Sequence, residues 1–289
     1  MRLIQRFAFV IAIFGTVAAI AAQGRGQAGA ANGLTRQTWT VDGVERSALI
    51  AAPHGVASNA AVPLVFVFHG HGGSSANAAR TFRIHEAWPD ALVIYPQGLP
   101  NVGQITDPEG KLPGWQHASG GEGDRDLHLV DAMFAWATKT YPVDKARVFA
   151  AGHSNGGSMV YLLWSVQSDR FAAFAPSSSV FRLDALTSAK PKPAFIIAGQ
   201  KDALVPFAAQ QLSLRGVLRL NRAATEGAAW SGGAQKHASP SGTDVITYIH
   251  PGGHPMPDDA GAQIVKFFKT VAGLPARVAA TTPAPRHSS

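Results

Sequence analysis

A chain of 289 residues, 46% of them hydrophobic, can bury a substantial core as one large α/β domain or two small ones. It has no cysteine, which excludes thiol catalysis, cysteine-ligated metal and disulfide staples, so the core alone must supply stability. The formal charge of +7 falls to +5 without Arg2 and Arg6, and no Lys/Arg cluster interleaves with aromatics, which argues against nucleic acid as a partner.

In chain order, Arg2 and Arg6 precede an uncharged apolar run over 7–22 that ends in small residues. This is the pattern of a secretory signal peptide, cut after Ala21 or Ala22; the run is short for a membrane span. Residues 1–22 are expected to be removed, leaving a secreted or periplasmic protein with no stable membrane insertion. Residues 23–33 read as a flexible leader. Their Gly24-x-Gly26-x-x-Gly29 matches a dinucleotide fingerprint only in form, because no strand precedes it.

Residues 35–41 and 46–52 flank Asp42-Gly43, the signal for an antiparallel hairpin. Continuous apolar runs at 63–68 and 91–95 predict strands buried on both faces, with a crossover helix over 76–86 between them. An amphipathic helix over 124–141 places Leu127, Val130, Phe134 and Ala137 on one face and stops at Pro142. Then follow a strand at 147–151, a helix at 156–167, strands at 171–175 and 194–198, and a helix at 207–221. Residues 223–244 are polar and glycine-rich and read as a long loop. A strand at 245–249 and a helix at 258–271 complete one catalytic domain over 34–274, and 275–289 reads as a disordered tail. Alternating strands and helices imply a doubly wound, mostly parallel sheet behind the N-terminal antiparallel hairpin.

The most informative motif is Gly152-His153-Ser154-Asn155-Gly156, directly after the apolar run 148–151 and before a helix. A serine on such a strand-to-helix turn presents its hydroxyl above the sheet edge, and only small neighbours leave the turn room. Serine needs a base, and the base needs an orienting carboxylate. Asp202 follows the strand ending at Ala198, and His254 follows the strand ending at Ile249, in the glycine loop Gly252-Gly253-His254. Parallel strands bring these loops to one carboxyl-terminal edge. Asp184 rivals Asp202 as the acid, and His250 and His237 rival His254 as the base. The oxyanion donors are expected to be the N–H of Asn155 and that of His71 in His69-Gly70-His71-Gly72-Gly73, with Gly70 or Gly72 as alternatives. His69-x-His71 invites a metal reading, but no further ligand follows at a suitable spacing, so neither metal nor organic cofactor is expected.

Phe68-His69-Gly70-His71-Gly72-Gly73, Gly114-Trp115, Tyr141-Pro142-Val143-Asp144, the elbow with its strand and Gly157, and Gly253-His254-Pro255 occur in one order. Over about 63–271 the chain resembles the extracellular polyhydroxybutyrate depolymerase / feruloyl esterase family of α/β-hydrolases. The resemblance implies an α/β-hydrolase fold and a serine esterase acting through an acyl-enzyme, with Ser154, Asp202 and His254 at the triad positions. It also implies a substrate-binding aromatic near Trp115. The chain departs from the pattern in having no cysteine, Ala198-Gly199-Gln200 before the acid, and Pro255-Met256-Pro257 after the histidine. Trp39, Trp88 and Trp230 are candidates for an aromatic surface, although each also suits simple packing. The expected partner is an ester, small or polymeric, met by a monomer. A peptidase on the same fold, and a surface-binding protein with a relic hydrolase fold, are the rival readings.

Overall fold

The structure, a computed structural model, describes residues 27–30, 33–103 and 106–273. The expected signal peptide and C-terminal tail lie outside the described residues. Within the stretch read as a leader, β1 (Gln27–Ala30) pairs with β2 (Leu34–Val41). The latter turns back through Asp42 and Gly43 into β3 (Val44–Ala51). Both turn residues have positive φ, 50° and 77°, the twist that a tight two-residue hairpin requires.

β4 (Val62–Phe68) is buried along its whole length and leads to β5 (Leu92–Pro96). The crossover expected as one helix is two, α1 (Ser75–Phe82) and α2 (Ile84–Ala87). Arg83 adopts a left-handed conformation (φ 49°) between them, which an α-helix cannot propagate through. A small ribbon of β6 (Leu99–Pro100) and β7 (Pro113–Gly114) precedes α3 (Arg125–Thr140). The second half alternates β8 (Val143–His153), α4 (Asn155–Gln167), β9 (Ala173–Ser177), α5 (Leu183–Leu186), β10 (Ala194–Gly199) and α6 (Phe207–Leu220). The region read as a long loop folds into β11 (Ala228–Ala229) and β12 (Gln235–His237) before β13 (Val245–His250) and α7 (Ala260–Val271).

The main sheet runs in the order β1-β2-β3-β5-β4-β8-β9-β10-β13-β12-β11. Its central run from β5 to β13 is parallel, and antiparallel strands extend it at both ends. Period-two alternation splits the core. Leu64, Phe66 and Phe68 of β4 pack on the face covered by α3, α4 and α6, whereas Val65 and Val67 face α1, α2 and α7. No helix among the described residues is long and apolar enough to cross a membrane.

Candidate active site

Ser154 stands between β8 and α4 with φ 56° and ψ −121°, a backbone conformation that costs a non-glycine residue about 1–3 kcal/mol. Its surroundings impose this geometry. A Cβ on Gly152 would overlap the Gly156 carbonyl, and one on Gly156 would overlap the carbonyls of Phe68 and His69. The elbow therefore closes onto the end of β4 with no room for side chains. The Ser154 N–H donates to the Ser177 carbonyl at 2.9 Å, and its own carbonyl accepts from Ser158 N–H at 3.0 Å. The half-buried hydroxyl makes no hydrogen bond within the described residues.

Asp202 lies just past β10 and His254 just past β13, strands that pair in parallel register. Their loops interlock: Lys201 N–H donates to the Gly252 carbonyl at 2.9 Å, and a side chain on Gly199 would strike the Gly253 carbonyl. His254 Nδ1 lies 2.9 Å from Asp202 Oδ2, so with the carboxylate ionised Nδ1 carries the proton and Nε2 is left as an acceptor. The other carboxylate oxygen accepts from the Leu204 and Val205 N–H groups, both at 2.9 Å, and Gln210 Nε2 donates to Oδ2 at 3.0 Å. Burial works against the charge on Asp202. The Val205 N–H, His254 and the Leu204 N–H outweigh it and hold the carboxyl below the usual carboxylate range.

Ser154 and the His254 loop are both tied to the end of β9. Ser177 accepts the Ser154 N–H, and the hydroxyl of the next residue, Ser178, donates to the His254 carbonyl at 2.9 Å. Ser178 is fully buried and also has positive φ, 46°. The His153 ring packs on the His254 ring with centroids 4.8 Å apart and lies 3.3 Å from Ser177 Oγ through Nδ1. Burial and the neighbouring His254 push His153 down to about 4, so it is neutral around pH 7. Ser154 and His254 share this rim without a direct hydrogen bond, an arrangement common in sites without substrate.

The loop after β4 supplies the opposing wall. Its Gly70 lies beside the Ser154 Cβ. Gly72 N–H donates to the Pro113 carbonyl at 2.7 Å and Gly73 N–H to the Gly70 carbonyl at 3.0 Å, which removes Gly72 as an oxyanion donor. The His71 N–H remains without an acceptor among the described residues, as does the Asn155 N–H at the start of α4. Side chains brace both. His71 Nε2 sits 3.2 Å from Asp107 Oδ2, and Asn155 Oδ1 accepts the Trp115 N–H at 2.7 Å. His69 is turned inward, its Nδ1 2.7 Å from the Gly70 carbonyl and its Nε2 accepting Gly98 N–H at 3.0 Å. Among the described residues, no group of three or more His, Asp or Glu side chains is placed to hold a metal ion.

Several candidates fall elsewhere. Trp115 is fully buried, edge-on to Phe68, and its Nε1 donates to the His69 carbonyl at 2.8 Å. The indole is closed off from solvent and cannot line a substrate surface; it is a strut under the loop after β4. Trp88 is sealed in the core, Trp39 packs on Trp136, and Trp230 packs on Phe195. Asp184 is exposed and paired with Arg182, His237 bonds the Ala224 carbonyl and Thr247, and His250 binds the Gly252 N–H. None of the three side chains is hydrogen-bonded to Ser154, Asp202 or His254. Gln210 and Ser178, which hold Asp202 and His254, carry no motif and were not expected from the sequence.

A model of the prolyl oligopeptidase family matches residues 115–195, the segment from the strut to β10 that contains Ser154 but neither Asp202 nor His254. A bifunctional acetylxylan esterase/xylanase of Neocallimastix patriciarum is 27% identical over 57% of this chain and 22% of its own length. A probable feruloyl esterase C of Aspergillus flavus is 25% identical over 61% of this chain. The chain covers 63% of that relative, so it spans less than two thirds of either curated protein. The solved acetyl xylan esterase of Aspergillus awamori superposes with a TM-score of 0.57 at 16% identity, over 80% of this chain and 99% of that one. The fold is the α/β-hydrolase fold.

Proposed function

We propose that the protein is an exported carboxylic-ester hydrolase that works through a serine acyl-enzyme. The observation that carries this reading is the 2.9 Å contact of His254 Nδ1 with Asp202, on the rim that holds Ser154 in its strained turn. In this reading His254 Nε2 takes the Ser154 proton as Oγ attacks the ester carbonyl, and Asp202 stabilises the imidazolium that forms. The free N–H groups of His71 and Asn155 receive the developing oxyanion. The alcohol departs with the proton from His254, and water, activated by the same ring, then releases the acid.

The substrates we propose are hydroxycinnamoyl esters or polyhydroxyalkanoate oligomers; the names of the curated relatives favour feruloyl and acetyl esters. The test is labelling by a fluorophosphonate probe together with turnover of 4-nitrophenyl acetate. Ser154→Ala is expected to abolish labelling and to lower kcat by at least about 10³-fold. A protein that neither labels nor turns over any ester would instead be a binding protein on this fold. The match to the prolyl oligopeptidase family supports a second reading, peptide-bond hydrolysis. Proline-containing nitroanilides cleaved faster than esters would favour it.

A further inference from the structure

Ser154 is the first step of a stripe that continues down α4. Ser158, Leu162, Ser165 and Val166 follow at helical spacing on the same side, and together they floor a cavity of about 470 Å³. One wall is His117-Ala118-Ser119, which leaves the strut residue Trp115 two positions earlier. The other is Val180-Phe181-Arg182 with Asp184 and Ala185, which begins two residues after Ser178, the residue bonded to His254. Each of its three boundaries therefore starts at the active site and leads away from it. At a helical rise of about 1.5 Å per residue, the cavity begins about 6 Å from Ser154 and ends about 18 Å away. An acetyl group does not reach it.

The lining also specifies chemistry. Its one cation and one anion, Arg182 and Asp184, neutralise each other through two contacts at 3.1 and 2.7 Å. The rest is serine hydroxyl and imidazole, with Tyr161 and apolar area from Leu162 and Val166 on the floor and from Val180 and Phe181 on the wall. No unpaired charge is offered to a ligand, while hydrogen-bonding groups and apolar area are. We infer that this cavity is the specificity subsite of the Ser154 centre, and that it holds the larger half of the ester: an uncharged group bearing ring or chain carbon and oxygen functions. The inference rests on the ester-hydrolase reading above. It assigns the size preference of the site to residues on α4 and its two walls rather than to the catalytic loops.

Ala118 and Ala185 are small residues on different walls of the cavity, and both are only partly buried, so tryptophan at either is positioned to fill cavity space. The experiment measures kcat/KM for wild type, Ala118→Trp and Ala185→Trp on two substrate pairs. One pair keeps the 4-nitrophenyl leaving group and enlarges the acyl group from acetate to ferulate. The other keeps the acetyl group and enlarges the alcohol from ethanol to methyl β-xylopyranoside. The expected result is that at least one variant lowers the ratio of large to small ester by about tenfold or more in one pair, which also shows which half occupies the cavity. Melting temperatures near that of wild type exclude a folding defect, and two independent walls guard against one variant failing to fold. Turnover of 4-nitrophenyl acetate with ratios unchanged in both pairs, or a wild type that accepts only the small esters, overturns the inference alone. Absence of all turnover and of fluorophosphonate labelling removes the ester-hydrolase reading, and the subsite with it.

Discussion

Ser178 shows how much a single side chain outside any motif can determine. It is buried, its φ of 46° is unfavourable for any residue but glycine, and its hydroxyl reaches 76 positions along the chain to the His254 carbonyl. That contact sets the height of the His254 loop, whereas Asp202 sets the ring's tautomer. Ser178→Ala should lower kcat about tenfold with KM little changed, because a displaced base impairs the reacting geometry before it impairs binding. Ser178→Gly relieves the backbone and lacks the hydroxyl, so it should melt no lower than wild type yet share the kinetic defect. Full activity in the glycine variant would show that the contact does not position the histidine. The positions of Ser154, Asp202 and His254 were legible because strand, glycine turn and polar residue adjoin in sequence. Ser178 and Gln210 were not, since what they do depends on neighbours supplied only by the folded chain. Trp115 was legible as belonging near the site; that its ring faces inward depends on Phe68 and His69, which pack against it.

Among the elements, the N-terminal hairpin joins the sheet through the pairing of β3 with β5, and a buried ion pair ties it to α3. Arg46 on β3 donates to Asp126 on α3 at 2.7 Å, and both are almost completely buried. The second Asp126 oxygen accepts the Gln116 N–H at 2.8 Å, which steadies the residue after Trp115 and so reaches the Asn155 brace. Arg46→Met leaves the carboxylate with only the more distant Arg125, 3.9 Å away, and should cost about 3–5 kcal/mol of stability, read from urea unfolding. Adding Asp126→Asn to that variant should return part of the loss. A loss below about 1 kcal/mol would mean that water reaches the pair. The strands were legible as long apolar runs. The division of α1 from α2 was not, because Arg83 has no special preference for a left-handed backbone and tertiary packing decides it. Likewise β11 and β12 are short and polar, and they form because β13 offers them a partner.

At the scale of the molecule, burial holds several imidazoles neutral. His69, His85, His153 and His250 all lie below the ordinary histidine value, each chiefly through desolvation. Such groups take up protons more readily in the unfolded chain. Their contribution to stability is therefore complete above about pH 6.5 and is lost as pH falls towards their folded values. Asp202, also lowered, adds a further loss at more acid pH, below about pH 4. For His153, with its folded value of about 4, the loss between pH 7 and pH 5 comes to about 2 kcal/mol. The unfolding free energy from urea titration should be lower at pH 5 than at pH 7 by at least that amount in wild type, and His153→Gln should reduce the difference by about 2 kcal/mol. An unchanged difference in the variant would show that the ring protonates freely in the native protein.

One end of the main sheet tapers to Ala228–Ala229, a strand of two residues hydrogen-bonded to a neighbour only one residue longer. A border that short offers almost no run of vacant peptide groups for another copy to zip onto. Crowding along that margin consequently carries little risk of fibrous association. Resistance to self-assembly there is set by where backbone pairing runs out, and lengthening the terminal ribbon by engineering would put it at hazard.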